Sequence, residues 1–497
     1  MKAVLLKNKG ELIILVAALI LGAWARTANL SGARFLFGDE FRTFSAGSSK
    51  FNSPLLYAIY WIPLHIWGYK EVVAIRFTAL LGMLNLVMVY LIGKSFFNLR
   101  TGIYSAVLLS PLGIHVWFSR TGQPVIAETF MTLTAFLFLG LFLEKKSGPL
   151  YPFLAGLFLG LAFLIYVPVY PIIAAVMILF PVSLNRQGVP LKKTAGALAV
   201  LSIGMLLPLV AFEIICRLKT GSYIFYLYLY YKDTTKFSPH QTSEFLTFFR
   251  GISFLGGTWQ LVLLMGGYAW GMISCFREKN SSLILLAGTA GIGFLLFTVM
   301  AFLGKHSISL RKYIHLIPFM VLVAAYCLDK FNLPSAAVNV FLIVFLIISL
   351  QNCLTIVNKT FNIYSIKEWL KEKGIKEKEL ATRLNLNMEG RTAGKRSLPG
   401  KLFYYEDRSR IYFIIDWNQL KKMYLKGEVR YLLSSGMNYC STVGYRDSVL
   451  KTKTPLKTWK HPYLFLKMPN PRKNMINNTI LYDRVQNFSL YDLQEVF

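Results

Sequence analysis

Apolar runs of membrane-spanning length follow one another from residue 11 to residue 352, and this repetition limits the fold more than any other feature of the chain. A helix needs about 20 mostly apolar residues to cross the hydrocarbon of a bilayer. Lipid offers backbone groups no hydrogen-bond partners, so only helices or a closed barrel can cross. Here the runs are continuous rather than alternating, which predicts helices. They lie near 11–28, 72–93, 101–118, 126–143, 150–166 and 168–183, then near 195–216, 258–276, 281–303, 313–328 and 334–352, eleven in all. The fifth and sixth are short and carry Pro168 and Pro171 in LIYVPVYPII, which predicts either two broken helices or one bent element.

Beyond residue 352 the composition changes. The whole chain is 55% hydrophobic and 16% charged, against about 25% charged in ordinary soluble domains, yet Lys, Arg, Glu, Asn and Pro become frequent in the tail. We therefore expect a mostly α, polytopic membrane domain over residues 1–352 and a small soluble α/β domain over 353–497. Within the tail, IYSIKEWLKEKGIKEKELATRL has helical periodicity, and RIYFIID, WNQLKKMYLKG and EVRYLLSS read as strand, helix, strand. No Gly-rich phosphate fingerprint accompanies that unit, so a lid or docking domain is the expectation. Cys216, Cys275, Cys327, Cys353 and Cys440 have no paired spacing and imply neither a disulfide framework nor a zinc site. The formal charge of +30 would suggest nucleic acid in a soluble protein. In a membrane protein it favours anionic lipid headgroups and phosphate-bearing substrates, and no nucleic acid is expected.

Basic residues in short loops mark the cytoplasmic side. Lys2, Lys7 and Lys9, Lys94 to Arg100, EKKSG at 144, NRQGVPLKK at 185, FREKN at 276 and DK at 329 all fall on one side of an alternating path. With an odd number of spans, the loop after the first span and the whole tail then lie outside. The Lys-rich start, the apolar stretch and AWA at 23–25 also fit a secretory signal with an A-x-A site; left uncleaved, this first helix would hold the following loop against the membrane.

Three outer segments collect the chemistry. The first loop, RFLFGDEFRTFSAGSSKFNSPLLYAIYWIP, places Asp39 and Glu40 among Arg34, Arg42 and Lys50 with aromatic residues on both sides. A carboxylate held ionised by cations and partly desolvated suits a general base that takes a proton from an incoming hydroxyl; a solvated loop whose acids balance its cations is the other reading. In HVWFSRTGQPVIAETF, Arg120 follows a span and Glu128 falls within two turns of the next. An intramembrane Glu is a functional candidate, and pairing with Arg120 is its structural alternative. LGKHSISLRKYIHLIPFM gathers Lys305, His306, Arg311, Lys312 and His315. Such cations suit a phosphate, Arg through two-pronged hydrogen bonds and Lys as a point charge, or else they snorkel to headgroups.

These segments resemble the GT-C superfamily of polytopic glycosyltransferases, in the branch of the protein O-mannosyltransferases and the bacterial aminoarabinose transferase that modifies lipid A. The likeness is carried by GDEFRTFSAG, SPLLYAIY, IRFTALLGMLNLVMVYLIGKSFF, SRTGQPVIAETF and LRKYIHLIPFMVLVAAY, in the family's order over most of residues 11–330. It implies a catalytic Asp39 with Glu40 beside it and a polyprenyl-phosphate sugar donor whose phosphate is held by Arg120, Arg311, Lys312 and Lys305. Arg42, Tyr57, Glu128, His306 and Tyr313 would complete the substrate pocket. Where relatives carry an Asp about five residues after the arginine, this chain has Val125, and the nearest acid is Glu128.

The resulting expectation is an inverting glycosyltransferase in a bacterial or archaeal plasma membrane, acting on a lipid, glycan or protein acceptor at the outer face. It needs no cofactor, and no D-x-D pairing indicates a metal, although Asp39 and Glu40 together could hold one. A lipid-linked sugar transporter or a surface-polysaccharide polymerase is the alternative, for which Glu213 is the main mid-chain candidate. A receptor anchored by its membrane part is a third.

Overall fold

The structure is a computed structural model that describes residues 9–30, 54–68, 71–122, 124–145, 148–220, 249, 252–253, 255–278, 280–302, 310–331, 333–358, 369–375, 379–382, 412–413, 417–435, 453–466 and 481–496. The bundle begins with α1 (Lys9–Thr27), α2 (Pro54–Trp67), α3 (Glu71–Phe96), α4 (Leu99–Leu109), α5 (Gly113–Ser119) and α6 (Pro124–Lys145). It continues with α7 (Leu150–Ile165), a 3-10 turn η1 (Val167–Val169), α8 (Tyr170–Arg186) and α9 (Leu191–Thr220). After these come α10 (Thr258–Glu278), α11 (Ser281–Phe302), a second 3-10 turn η2 (Leu310–Leu316), α12 (Ile317–Lys330) and α13 (Ser335–Asn358).

By length and hydropathy eight described helices can each cross a bilayer, and α4 with α5, bent by 68°, makes a ninth. The apolar α7 is shorter, at 16 residues, and α10 has 21 residues. Neither meets the length and hydropathy of a full span, so nine of the eleven runs read from the sequence form candidate spans among the described residues. The fifth and sixth runs are two helices, α7 and α8, separated by extended Tyr166 and the Pro168-containing turn. One sharp break lies elsewhere, at Ser110–Leu112, inside what reads as a single third span.

Small residues let the helices approach. Gly156 and Gly160 of α7 form a small-xxx-small stripe; a Cβ on Gly156 would run into the Leu201 carbonyl of α9, and one on Gly160 would lie 2.6 Å from Pro208 Cγ. Because Gly156 meets Leu201 and Gly160 meets Met205, α7 and α9 run parallel and in direct contact. Likewise a Cβ on Gly93 of α3 would lie 2.8 Å from Gly102 Cα of α4.

A polar layer locks the end that carries the basic loops. Arg100 pairs with buried Glu11 at 3.1 Å, and Tyr104 donates to the same carboxylate at 3.3 Å. Asn98 caps α4 through Thr101 N–H at 2.9 Å and donates to Asp329 at 2.7 Å. Lys330 lies 3.4 Å from Glu278, which also accepts from the Tyr326 hydroxyl. These contacts tie α1, α4, α10 and α12 together at one end. The helix that also fits a cleavable signal is therefore packed into the bundle from Glu11 to Arg26.

α2 corrects the expectation of a plain loop after residue 53. It buries Tyr60 and Leu64 and exposes Trp61, Ile62, Ile66 and Trp67. Its Tyr60 hydroxyl meets Thr78 Oγ1 of α3 at 2.5 Å.

The described tail is a five-stranded sheet in the order β2-β1-β3-β5-β4, made of β1 (Leu380–Thr382), β2 (Tyr412–Phe413), β3 (Tyr431–Ser435), β4 (Lys457–Leu466) and β5 (Leu481–Asp492), with α14 (Trp417–Leu425) between β2 and β3. The strand–helix–strand unit is present, but β1 is inserted between its two strands and runs parallel to both. Leu380–Thr382 falls in a stretch that reads as helix from its periodicity; pairing on both sides makes it a strand, with Leu380 buried. The antiparallel β4–β5 pair extends the sheet.

Candidate active site

The end of the bundle opposite the basic loops is organised around the α4–α5 break. Pro111 has no N–H to continue the helix, so α4 stops at Leu109. Gly113 then starts α5 where a Cβ would run into the Leu255 carbonyl. α5 lasts only seven residues and ends on Arg120, whose φ of −99° and ψ of 0° turn the chain. Gly122, at φ 71°, completes the reversal into α6. Arg120 is 5% exposed and donates from Nη1 to the Ala25 carbonyl at the end of α1, at 2.8 Å.

Next to Ala25, Arg26 is fully buried. Its Nη1 donates to the Gly22 carbonyl at 2.9 Å and to the Ser110 carbonyl at 2.8 Å. Ser110 caps the C-terminal end of α4, where the backbone carries roughly half a negative charge. That helix end thus offsets the buried guanidinium. Its Nη2 lies 2.8 Å from His115 Nδ1. Guanidinium nitrogens cannot accept, so Nδ1 accepts and the imidazole proton sits on Nε2. That nitrogen faces the Asn85 amide at 3.4 Å, and the same amide donates to the Ile126 carbonyl at 3.4 Å.

The second cluster joins α6 to η2. Glu128 and His315 are both fully buried, with Oε2 3.3 Å from Nδ1. Thr132 Oγ1 donates to the other carboxylate oxygen at 2.7 Å. The Oε2–Nδ1 approach is at ion-pair distance without hydrogen-bond alignment. Tyr313, two residues earlier, packs its ring 5.3 Å from Phe294 and 5.4 Å from Phe297 of α11. The C-terminal half of η2, from Tyr313 to Leu316, is buried throughout.

Of the site residues expected from sequence, Arg120, Glu128 and Tyr313 are fully described. Arg120 and Glu128 begin from the same end of the bundle, but they do not pair: the carboxylate of Glu128 is engaged by Thr132 and His315. Glu128 and Tyr313 are 0% and 1% exposed and lie within the wall of the bundle. Tyr57 lies on α2, and Arg311 and Lys312 on η2; their side chains are outside the description. Asp39, Glu40, Arg42, Lys305 and His306 lie outside the described residues altogether. The sequence reading passed over Arg26, His115 and Asn85. Arg26 and His115 carried a usable signal, since each is an ionisable residue in an apolar run; Asn85 did not.

A family model described as dolichyl-phosphate-mannose-protein mannosyltransferase matches residues 52–215, from the edge of α2 into α9. No curated protein matches the sequence. Among solved structures, that of ArnT from Cupriavidus metallidurans bound to undecaprenyl phosphate aligns over 97% of this chain and 98% of its own, with a TM-score of 0.58 and 11% identity. The archaeal oligosaccharyltransferase AglB from Archaeoglobus fulgidus, in complex with an inhibitory peptide and a dolichol-phosphate, aligns over 86% of this chain and 70% of its own, with a TM-score of 0.52 and 13% identity. At these identities the fold is what is shared.

Proposed function

We propose that this multi-pass membrane protein of the GT-C fold is an inverting glycosyltransferase, which moves a sugar from a polyprenyl-phosphate carrier to an acceptor at the outer face of the membrane. The observation that carries the reading is the end-to-end correspondence with ArnT, a structure holding undecaprenyl phosphate, over 97% of this chain, tail included. The family match across Arg120 and Glu128 supports the same kind of reaction.

In the proposed step the acceptor oxygen attacks the anomeric carbon from the face opposite the phosphate. The new C–O bond forms as the bond from the sugar to the phosphate oxygen breaks, and the electron pair leaves with polyprenyl phosphate. Asp39, with Glu40 beside it, takes the acceptor's proton. Arg120, Arg311, Lys312 and Lys305 stabilise the charge that grows on the departing phosphate, while Arg42, Tyr57 and His306 complete the pocket. Arg120 is suited to this part because it is almost fully buried, and charge–charge interactions are stronger out of water. Glu128 and Tyr313 act from the wall by holding η2 in place.

The test uses the purified full-length protein in lipid nanodiscs with a panel of polyprenyl-phosphate sugars and candidate acceptors. Acceptor-dependent release of free polyprenyl phosphate is the expected result. Movement of intact lipid-linked sugar between the leaflets of sealed proteoliposomes, without release, would instead identify a transporter.

A further inference from the structure

The joint between α4 and α5 turns on Gln260, a residue that no charge or motif marks. It sits in the first turn of α10 and is fully buried. Its Oε1 accepts the Gly113 N–H at 3.2 Å, one of the donors that a helix start cannot satisfy from within. Its Nε2 donates to the Pro111 carbonyl at 3.3 Å and to Ser349 Oγ of α13 at 3.2 Å. One amide thus serves both sides of the break and ties it to a third helix. Gln260 is itself confined, since a Cβ on Gly256 would lie 2.7 Å from its Cδ, and the Gly256 carbonyl is held by Asn352 at 2.7 Å.

What this joint sets is the direction of a short lever. α5 has seven residues and ends on Arg120. At 1.5 Å per residue it is about 10 Å long, so a swing of about 10° at Gly113 moves Arg120 by about 2 Å. Productive site geometry tolerates about 0.5 Å. We propose that Gln260 is a positioning residue for the carrier phosphate, acting through the tilt of α5 on Arg120. This rests on the reading of Arg120 as a phosphate holder.

Binding of undecaprenyl phosphate, with no sugar attached, to the full-length protein in nanodiscs tests it across wild type, Arg120→Gln, Gln260→Met and the double variant. Gln260→Met is expected to weaken binding about tenfold, and the double variant to bind within about twofold of Arg120→Gln, because the lever has no effect once its tip is removed. In the transfer assay Gln260→Met should lower kcat/KM, and the double variant should again match Arg120→Gln, a pattern that a general loss of stability would not produce. If Gln260→Met does not fold, Gln260→Leu takes its place; it has a similar volume, makes none of these hydrogen bonds and buries no charge. Wild-type affinity in the Gln260 variant beside weakened binding in Arg120→Gln overturns the inference alone, as does a double variant weakened by the product of the two single effects. Wild-type affinity in Arg120→Gln overturns the phosphate reading, and the role of Gln260 with it.

Discussion

Glu128→Gln is the most informative single change in the wall of the site. The substitution keeps an oxygen for Thr132, which donates to Oε1 at 2.7 Å, and removes the acid that faces His315 Nδ1 at 3.3 Å. Both partners are fully buried, so water cannot replace what is lost. Removing one member of a buried pair costs about 3–5 kcal/mol, most of it from leaving the other member uncompensated. The retained Thr132 contact places Glu128→Gln at the lower end, about 3 kcal/mol, and Glu128→Ala above it. Thr132→Ala, which removes one hydrogen bond to a carboxylate, should cost about 1.5–3 kcal/mol. Replacing both members, in Glu128→Gln with His315→Gln, leaves neither titratable member of the pair uncompensated and should recover part of the loss, giving a coupling of about 2 kcal/mol between the sites. Reversible unfolding in mixed micelles of increasing detergent strength measures each term. A Glu128→Gln variant within about 0.5 kcal/mol of wild type, or strict additivity in the double variant, would refute the view that the pair clamps α6 to η2.

Three further outcomes are expected. Asp39→Asn should keep the fold and carrier binding and lose about 10²- to 10⁴-fold in turnover, the usual contribution of a general base; near-normal transfer would remove Asp39 from the mechanism. Gly156→Leu should part α7 from α9, because its side chain meets the Leu201 carbonyl, whereas the same change at Gly196, where a Cβ meets nothing within 4 Å, should be close to neutral in the unfolding assay. A phosphatase fused after Phe497, active only outside the cytoplasm, should be active in a bacterial host; an inactive but stable fusion would reverse the assigned orientation.

The sequence is a good guide where the physics is local. Whether a stretch enters lipid depends on the transfer cost of its own side chains, so the order of the helices could be read from the apolar runs. Arg120 was legible because the turn SRTGQP must end one helix and start the next, and Glu128 because a carboxylate in a run such as PVIAETFMTLTAF needs a reason to be there. Partner choice is not local. Arg120 is the nearer candidate for Glu128 along the chain, yet His315 takes the contact, because α6 packs against η2 and the guanidinium is directed to Ala25 instead.

The same division holds elsewhere. Leu380–Thr382 has helical neighbours in sequence and becomes a strand because β2 and β3 offer hydrogen bonds on both sides. Pro111 announces a weakness in its helix, but the size of the break depends on what awaits the freed backbone groups: Arg26 for Ser110, Gln260 for Pro111 and Gly113. By itself, then, the amino-acid order determined a polytopic bundle with a polar tail and named the cations and acids available to a site. Only the packing of distant helices decided which of them meet, since the energy of a buried polar group depends on partners brought to it from elsewhere in the chain.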